Sequence, residues 1–501
     1  MSKQFLQELV SFIQQKGFIW GPEPEIYGGL AGFYTYAPLG KLLKNNVEGT
    51  IRTIFQKNNF FEVECPTIMP KKVWEASGHL GGFTDPVVKC SKCNASFRAD
   101  NLLEELFPDK VIKDVTEFFK NNEVKCPSCK ERLPAEVKEH NLMMKTTVGL
   151  DIEAYNRPET ATTTYLPFIR FYEHFRKKLP FGVFQIGNAY RNEISPRQHV
   201  LRTREFTQAE AQLFIFEEQK NDFPKYKAIK KKKMPFWSWP SQNKEMQVET
   251  LSVEDAMKKK YFKNEAYAYT VNLAYQVFRI MGIPDANIRL RQHGPDEKAF
   301  YADDAWDVEV NLNSFGWTEL CGIHDRTNYD LKQHGKFSGK SMEVMNEANE
   351  KKVPHVLEIA FGVARPTFAL LDLFYDKKED GAGKTVLKLP LNMAPMKVAV
   401  FPLLKKPELL KLANGIYEDL SQEFICKYDE SASIGKRYLR AAEEGIPFAV
   451  TVDFDSLDDK AVTLRDRNTE KQKRIKIQGL KETITSLIRG EIKFKDIKEN
   501  L

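Results

Sequence analysis

The stretch from Phe181 to Phe216, FGVFQIGNAYRNEISPRQHVLRTREFTQAEAQLFIF, constrains this chain more than any other. It has two extended arms, Phe181 to Glu193 and Arg202 to Phe216, joined by a polar loop containing Ser195, Pro196 and Arg197. Side chains on a strand alternate between faces with a period of two. In the second arm Arg202, Arg204, Phe206, Gln208, Glu210 and Gln212 therefore share one wall. Thr203, Thr207, Ala209, Ala211, Leu213 and Ile215 share the other, with Glu205 its only charge. On the first arm Arg191 and Glu193 likewise share a wall. Arginine forks match phosphate oxygens and an aromatic ring stacks on a base, so such a wall can hold a triphosphate and a purine. The same alternation also describes a plain antiparallel hairpin with one solvated face.

Tyr190-Arg191-Asn192-Glu193, followed by Arg202 and then Phe206, resembles motif 2 of the class II aminoacyl-tRNA synthetases. The longer pattern, RNEISPR and then LRTREFTQAEA, resembles the homodimeric glycyl-tRNA synthetases, especially their archaeal and eukaryotic branch. The resemblance covers nearly the whole chain. It implies an α+β fold, with a class II catalytic domain (an antiparallel sheet flanked by helices) over residues 1–390 and an α/β anticodon-binding domain over 394–501. It also implies ATP with Mg2+, glycine and tRNA(Gly) as partners, and a homodimer.

Composition is compatible with this. A chain of 501 residues, 42% of them hydrophobic and 12% aromatic, is long enough for two or three domains. A net charge of +6 mildly favours a polyanion and is far from a histone-like polycation. No apolar run reaches transmembrane length and no charged leader with an apolar core opens the sequence, so a cytoplasmic protein with no membrane partner is expected. Seven cysteines is an odd count, and four sit in CxxC pairs, which favours a reducing compartment and metal binding over disulfides. Cys90, Cys93, Cys126 and Cys129 offer four thiolates to a tetrahedral structural Zn2+, in an insertion of about 85–140 with little core of its own. Four unliganded thiols are the plainer alternative.

Phe5, Leu9, Phe12 and Ile13 predict an amphipathic helix from Lys3 to Lys16. Gly28 to Gly40 reads as a glycine-punctuated aromatic loop, Lys41 to Gln56 as a helix, and Phe60 to Cys65 as a strand stopped by Pro66. Helix, strand and proline together resemble motif 1, the family's dimer interface, although ordinary core gives the same pattern. A second insertion, about 218–262, carries six lysines between Lys225 and Lys233 and then PFWSWP. Such a run is ordinarily a solvated loop; beside aromatics it also suits the tRNA acceptor arm. Past a proline-bounded linker from Leu389 to Pro395, strands alternate with a helix from Pro407 to Phe424, implying a small parallel-rich α/β domain.

The remaining assignments come through the resemblance. Motif 2 places ATP on Arg191, Asn192, Glu193, Leu201, Arg202, Thr203, Arg204, Glu205 and Phe206. The string WTELCGI adds Glu319 and Leu320, with Glu319 the expected magnesium ligand, since hard cations take carboxylate oxygens. A salt bridge from Glu319 to Arg326 is the bland alternative. LEIAFGVAR resembles motif 3 and adds Gly362, Val363, Ala364 and Arg365, with Arg365 at a helix entrance that favours anions. Arg191 and Arg365 are the expected catalytic groups. NRPETA resembles the string whose glutamate binds the amino group of glycine, here Glu159, rigidly approached through Pro158. Arg98, Phe206, Thr207, Gln208, Ala209, Glu210, Glu358, Ile359, Ala360, Phe361 and Gly362 complete the expected glycine site, and Arg291 is a looser candidate.

Two departures stand out. Thr162, Thr163 and Thr164 replace the usual glutamine-glycine, either narrowing a pocket or lining a strand, and Ile359-Ala360 stands where the family more often has proline-serine. They leave open a ligase for another small amino acid. The pattern alone also leaves open a non-catalytic, synthetase-like nucleic-acid-binding protein. Three echoes are set aside. Gly381 to Thr385 lacks the first glycine of a phosphate loop, and His79 to Gly82 and Lys336 to Ser341 match class I signatures only faintly.

Overall fold

The computed structural model describes residues 3–110, 112–194, 196, 199–377 and 384–497. Ser195 and Arg197 of the expected loop, and Gly381 to Gly383 of the set-aside phosphate-loop echo, lie outside them. The stripe Leu9, Phe12 and Ile13 is buried on helix α1 (Lys3–Gln15). Helix α2 (Pro38–Lys57) starts earlier than expected, because Pro38 suits a first helical turn and converts the end of the aromatic loop into helix. Gly40 lets that helix press on the preceding chain: a Cβ there would meet the carbonyl oxygen of Phe18 at 1.8 Å.

The central sheet has nine strands: β1 (Phe60–Glu62), β2 (Phe181–Tyr190), β3 (Glu205–Ile215), β4 (Lys233–Trp237), β5 (Glu249–Ser252), β6 (Ile288–Gln292), β7 (Asp304–Leu312), β8 (Gly316–Asp325) and β9 (His355–Gly362). Their order is β5-β4-β6-β7-β8-β9-β3-β2-β1, antiparallel except at β4/β6 and β2/β1. One face packs on α2, on α4 (Glu265–Ile280) and on α5 (Ala364–Phe374), α3 (Ala161–Tyr165) lying elsewhere, at the site. Helix α4 is apolar around most of its circumference and nearly all of it is buried, as a helix without a polar face must be. The opposite face of β8, β9 and β3 floors a cavity.

The insertion after α2 holds a three-stranded sheet of Thr84–Lys89, Ser96–Arg98 and Lys138–Asn141. It has more core than expected, with Val88, Phe97, Leu102, Leu103, Phe119, Val124 and Leu133 all buried. The lysine-rich insertion is an ordered turn, Pro224–Ala228, running into β4 near the sheet edge. Phe236 of PFWSWP is in the core and Trp237 stacks under Arg289 at 3.8 Å, so those rings are occupied by packing.

The C-terminal sheet comprises β10 (Val398–Pro402), β11 (Cys426–Tyr428), β12 (Phe448–Val452), β13 (Ala461–Asp466) and β14 (Gln472–Lys476), in the order β11-β10-β12-β13-β14. It is evenly mixed rather than parallel-rich: β10 pairs parallel with β11 and β12, while β13 and β14 form an antiparallel hairpin. Helices α6 (Pro407–Ser421), α7 (Ile434–Glu443) and α8 (Leu480–Arg489) cover it, α6 and α8 sharing one core.

Candidate active site

β2 and β3 pair with Gln185 opposite Glu210 and Tyr190 opposite Glu205, and β3 pairs with β9 with Glu210 opposite Ala360. The period of two therefore puts Phe206, Gln208 and Glu210 beside Glu358, Ala360 and Gly362 on the cavity face. Glu319 joins them through a slip in the β7/β8 ladder between Val308 and Glu309. Such a bulge re-aims the side chains beyond it, so Glu319 reaches a cavity that Gly322 and His324 also line. The cavity holds about 600 Å³, within the range of ligand sites.

One end is acidic. Glu159, Glu210 and Glu358 line it, with Glu210 and Glu358 each 3% exposed. Glu358 accepts from Tyr165 Oη at 2.9 Å and from Arg326 Nη1 at 3.3 Å, with His324 Nδ1 at 3.2 Å. Burial pushes Glu358 up, but Arg326 and His324 outweigh it and hold the carboxyl below its ordinary value. Burial likewise raises Glu159, yet His79, Arg326 and the Thr162 hydroxyl hold it well below the usual carboxylate range. Glu210 goes the other way: burial, then the charges of Glu358 and Glu159, push it up to about 8. Its carboxyl accepts from Thr160 Oγ1 at 2.5 Å and from Gln208 Nε2 at 3.2 Å. Thr162, Thr163 and Thr164 neither narrow this pocket nor line a strand. They form helix α3, whose hydroxyls bond Glu159, the Thr160 carbonyl and Gln185.

The other end is basic. Arg191, Arg202 and Arg365 line it with Phe206. Arg191 donates to the Pro158 carbonyl at 3.1 Å, its guanidinium 5.3 Å from the rings of both Phe83 and Phe206. Arg202 donates to Glu193 at 2.8 Å. Arg365 stands on the first turn of α5, 3.1 Å from Glu319 Oε1. The ion pair of Glu319 is thus with Arg365, whereas Arg326 binds Asp330 and Glu358. Leu201, Thr203, Ala364 and the core ring of Phe361 also border the cavity.

Several expected site residues do not line it. The arms are shorter than expected, β2 ending at Tyr190 and β3 beginning at Glu205, so alternation does not extend to Arg204. Its guanidinium instead ties down the carbonyls of Ala31, Glu193 and Ile194. Glu205 and Thr207 fall on the far wall, bonded by Asn188 at 3.2 Å and Lys44 at 2.7 Å. Ala209, Leu320, Ile359 and Val363 are core, because alternate members of a contiguous string must turn away. Asn192 points to His140 at 3.3 Å, Arg291 pairs with Glu297 at 2.8 Å, and Arg98 pairs with Asp100 at 2.7 Å and Asp85 at 3.2 Å. Pattern reading missed His79, Tyr165, Tyr301 and His324. They come from separated segments, and no local spacing marks them.

In the insertion, Cys90 and Cys126 open two equivalent knuckles. Asn94 and Lys130, both in the left-handed region, donate to the Cys90 and Cys126 carbonyls at 3.0 and 2.9 Å. The four thiol sulfurs lie within 4.8 Å of one another, at 3.6 Å for Cys90–Cys129 and 3.7 Å for Cys93–Cys126. Tetrahedral zinc–sulfur bonds of ~2.3 Å separate sulfurs by about 3.8 Å, so this set fits zinc. The insertion is stitched to the cavity wall, since Asp85 also contacts Arg202 at 3.5 Å and Asn192 donates to the Leu142 carbonyl at 2.8 Å.

Comparison with known proteins agrees with this geometry. The tRNA synthetase class II core domain (G, H, P, S and T) matches residues 151–374, and the anticodon binding domain matches 397–487. The glycine–tRNA ligase of Pyrococcus horikoshii is 39% identical over 97% of this chain and 99% of its own length. That of Methanocaldococcus jannaschii is 36% identical over 96% and 98%. Among solved structures, prolyl-tRNA synthetase from Cryptosporidium parvum, complexed with halofuginone and AMPPNP, aligns with a TM-score of 0.60. At 15% identity over 97% of this chain and 78% of that one, it shows the fold alone.

Proposed function

The chain belongs to the glycine–tRNA ligases, and from that premise we propose how its cavity attaches glycine to tRNA(Gly) at the expense of ATP. One observation carries the reading: a single cavity joins three arginines and a phenylalanine at one end to three carboxylates at the other. The glycine ammonium lies among Glu159, Glu358 and Glu210, where the charge of the ligand relieves carboxylates that repel one another. Adenine stacks on Phe206 near Glu193, and the phosphates meet Arg191 and Arg365. The glycine carboxylate then attacks the α-phosphorus in line, pyrophosphate leaves, and the terminal ribose hydroxyl of the tRNA takes the glycyl group from the adenylate. No side chain acts as a covalent nucleophile, so rate comes from positioning and from charge stabilisation by Arg191 and Arg365.

Glu319 borders the phosphate end, and its carboxylate oxygens would hold Mg2+ there. Bound there, it would supply positive charge toward the phosphates. Cys90, Cys93, Cys126 and Cys129 would hold a structural Zn2+. We assign residues 1–390 to catalysis and 394–501 to the anticodon, and infer a cytoplasmic homodimer. Among the described residues, no helix is long and apolar enough to cross a membrane.

ATP–pyrophosphate exchange across the twenty amino acids tests the reading. Glycine is expected to support the fastest exchange. An added methyl group is worth only about 1–3 kcal/mol of discrimination, so alanine should support exchange at roughly one-tenth to one two-hundredth of the glycine rate. Exchange that favours another amino acid, or none at all, would refute the assignment.

A further inference from the structure

The segment from Lys71 to Phe83, whose last ring packs on Arg191, also brings an imidazole to Glu159 at the acidic end of the cavity. Helix Lys71–Ala76 ends at Ser77, and Gly78, at φ 84°, turns the chain so that His79 faces inward. Its Nε2 lies 3.5 Å from Glu159 Oε2, and its Nδ1 lies 2.7 Å from Ser77 Oγ. The rings of Trp74 and Phe83 stand edge-on to it at 5.7 and 5.5 Å, which fixes the imidazole plane. Asn141, on the last strand of the cysteine-bearing insertion, donates to the carbonyls of His79 and Leu80 at 3.1 Å each. The other oxygen of Glu159, Oε1, accepts from Thr162 Oγ1 at 2.7 Å. Each oxygen of that carboxylate is therefore held by a different segment.

We propose that His79 is a positioning residue for glycine recognition. Ser77 Oγ, 2.7 Å from Nδ1 and 3.4 Å from the Trp74 carbonyl, anchors one edge of the ring so that a proton on Nε2 faces Glu159. A carboxylate at the end of a flexible side chain is thereby turned toward the ammonium before glycine arrives, and the ordering cost is not charged to binding. The inference rests on the reading of Glu159 as an ammonium ligand. The contacts of His79 run to Glu159, Ser77, Trp74 and Phe83, so its effect belongs to glycine affinity rather than to nucleotide affinity or chemistry.

The full-length chain is assayed by pyrophosphate exchange, varying glycine and ATP separately. His79→Leu keeps the bulk between Trp74 and Phe83 but removes the donor. It should raise the glycine KM by about tenfold, the scale of losing a charge-assisted contact, with the ATP KM within about twofold. His79→Gln, whose amide nitrogen can occupy the place of Nε2, should recover most of the loss. Ser77→Ala should raise the glycine KM in the same sense by a smaller factor, and it decides the matter if the leucine variant melts early. An unchanged glycine KM, an equal rise in both KM values, or a glutamine variant no better than leucine would overturn the proposal. Glu159→Gln separates the two readings: if it leaves the glycine KM unchanged, the ammonium assignment fails first.

Discussion

At Arg191 the carbonyl of Pro158 and the rings of Phe83 and Phe206 hold a guanidinium at the mouth of the basic end before any phosphate is present. A donor arranged in advance costs no reorganisation during reaction, and removing one costs about 3–4 kcal/mol of activation free energy. Arg191→Ala should therefore slow adenylate formation by roughly two to three orders of magnitude in single turnover, and a loss below tenfold would refute the role. Glu210 predicts a pH dependence. Pushed up to about 8, it is neutral below that value and ionised above it, and an ammonium prefers the ionised form. The glycine KM should fall as pH rises from about 6.5 to 8.5, and Glu210→Gln should flatten that dependence while the ATP KM stays level. These residues differ in how far they could be read. Arg191, Phe206 and Glu210 follow from motif and alternation. His79 and His324 come beside Glu159 and Glu358 only in the folded chain, and nothing near them in the sequence announces it.

Among the elements, legibility followed period. The arms of the hairpin were visible because two-residue alternation survives wherever a strand is regular, and its ends were misjudged because Arg202 and Arg204 lie where β3 has not begun. The slip in β7/β8 that presents Glu319 is a property of pairing between strands, so neither strand alone displays it. Helix α4 escaped a periodic reading because burial on most sides leaves no polar face to mark the period. The cysteine insertion was legible from spacing, whereas its core is built from residues scattered between Val88 and Leu133 that no single periodic run contains. Chelation should expose 85–140 to limited proteolysis and alter its far-ultraviolet circular dichroism, because thiolate bonds to zinc close a loop that the small core only partly supports. Unchanged cleavage and spectrum would show that the metal adds no fold stability.

For the whole molecule, the two sheets have separate cores, joined by a short connection that Arg467 pins by donating to the carbonyls of Gly445 and Leu389 at 2.6 Å each. Asn46 of α2 donates to the carbonyls of Met393 and Ala394 at 3.1 and 3.0 Å, so the catalytic sheet's own helix also holds the linker. Strand β1 is an edge strand and its Phe61 is half exposed, leaving backbone and apolar surface on the motif 1 side. Sedimentation velocity should give twice the 57.9 kDa chain mass, with Phe61→Asp shifting the population toward single chains. A single-chain mass for the unaltered protein would refute the dimer.

By itself the sequence determined the class of chemistry, the paired cysteine knuckles, the hairpin wall and the change of architecture near residue 390, because each is written in residues close together along the chain. Tertiary structure alone decided which members of those strings face the cavity, that Glu319 pairs with Arg365, and that His79, Tyr165, Tyr301 and His324 join the site. The reason is physical: spacing along a chain encodes direction only inside one regular element, and a binding site forms where several elements close on one volume.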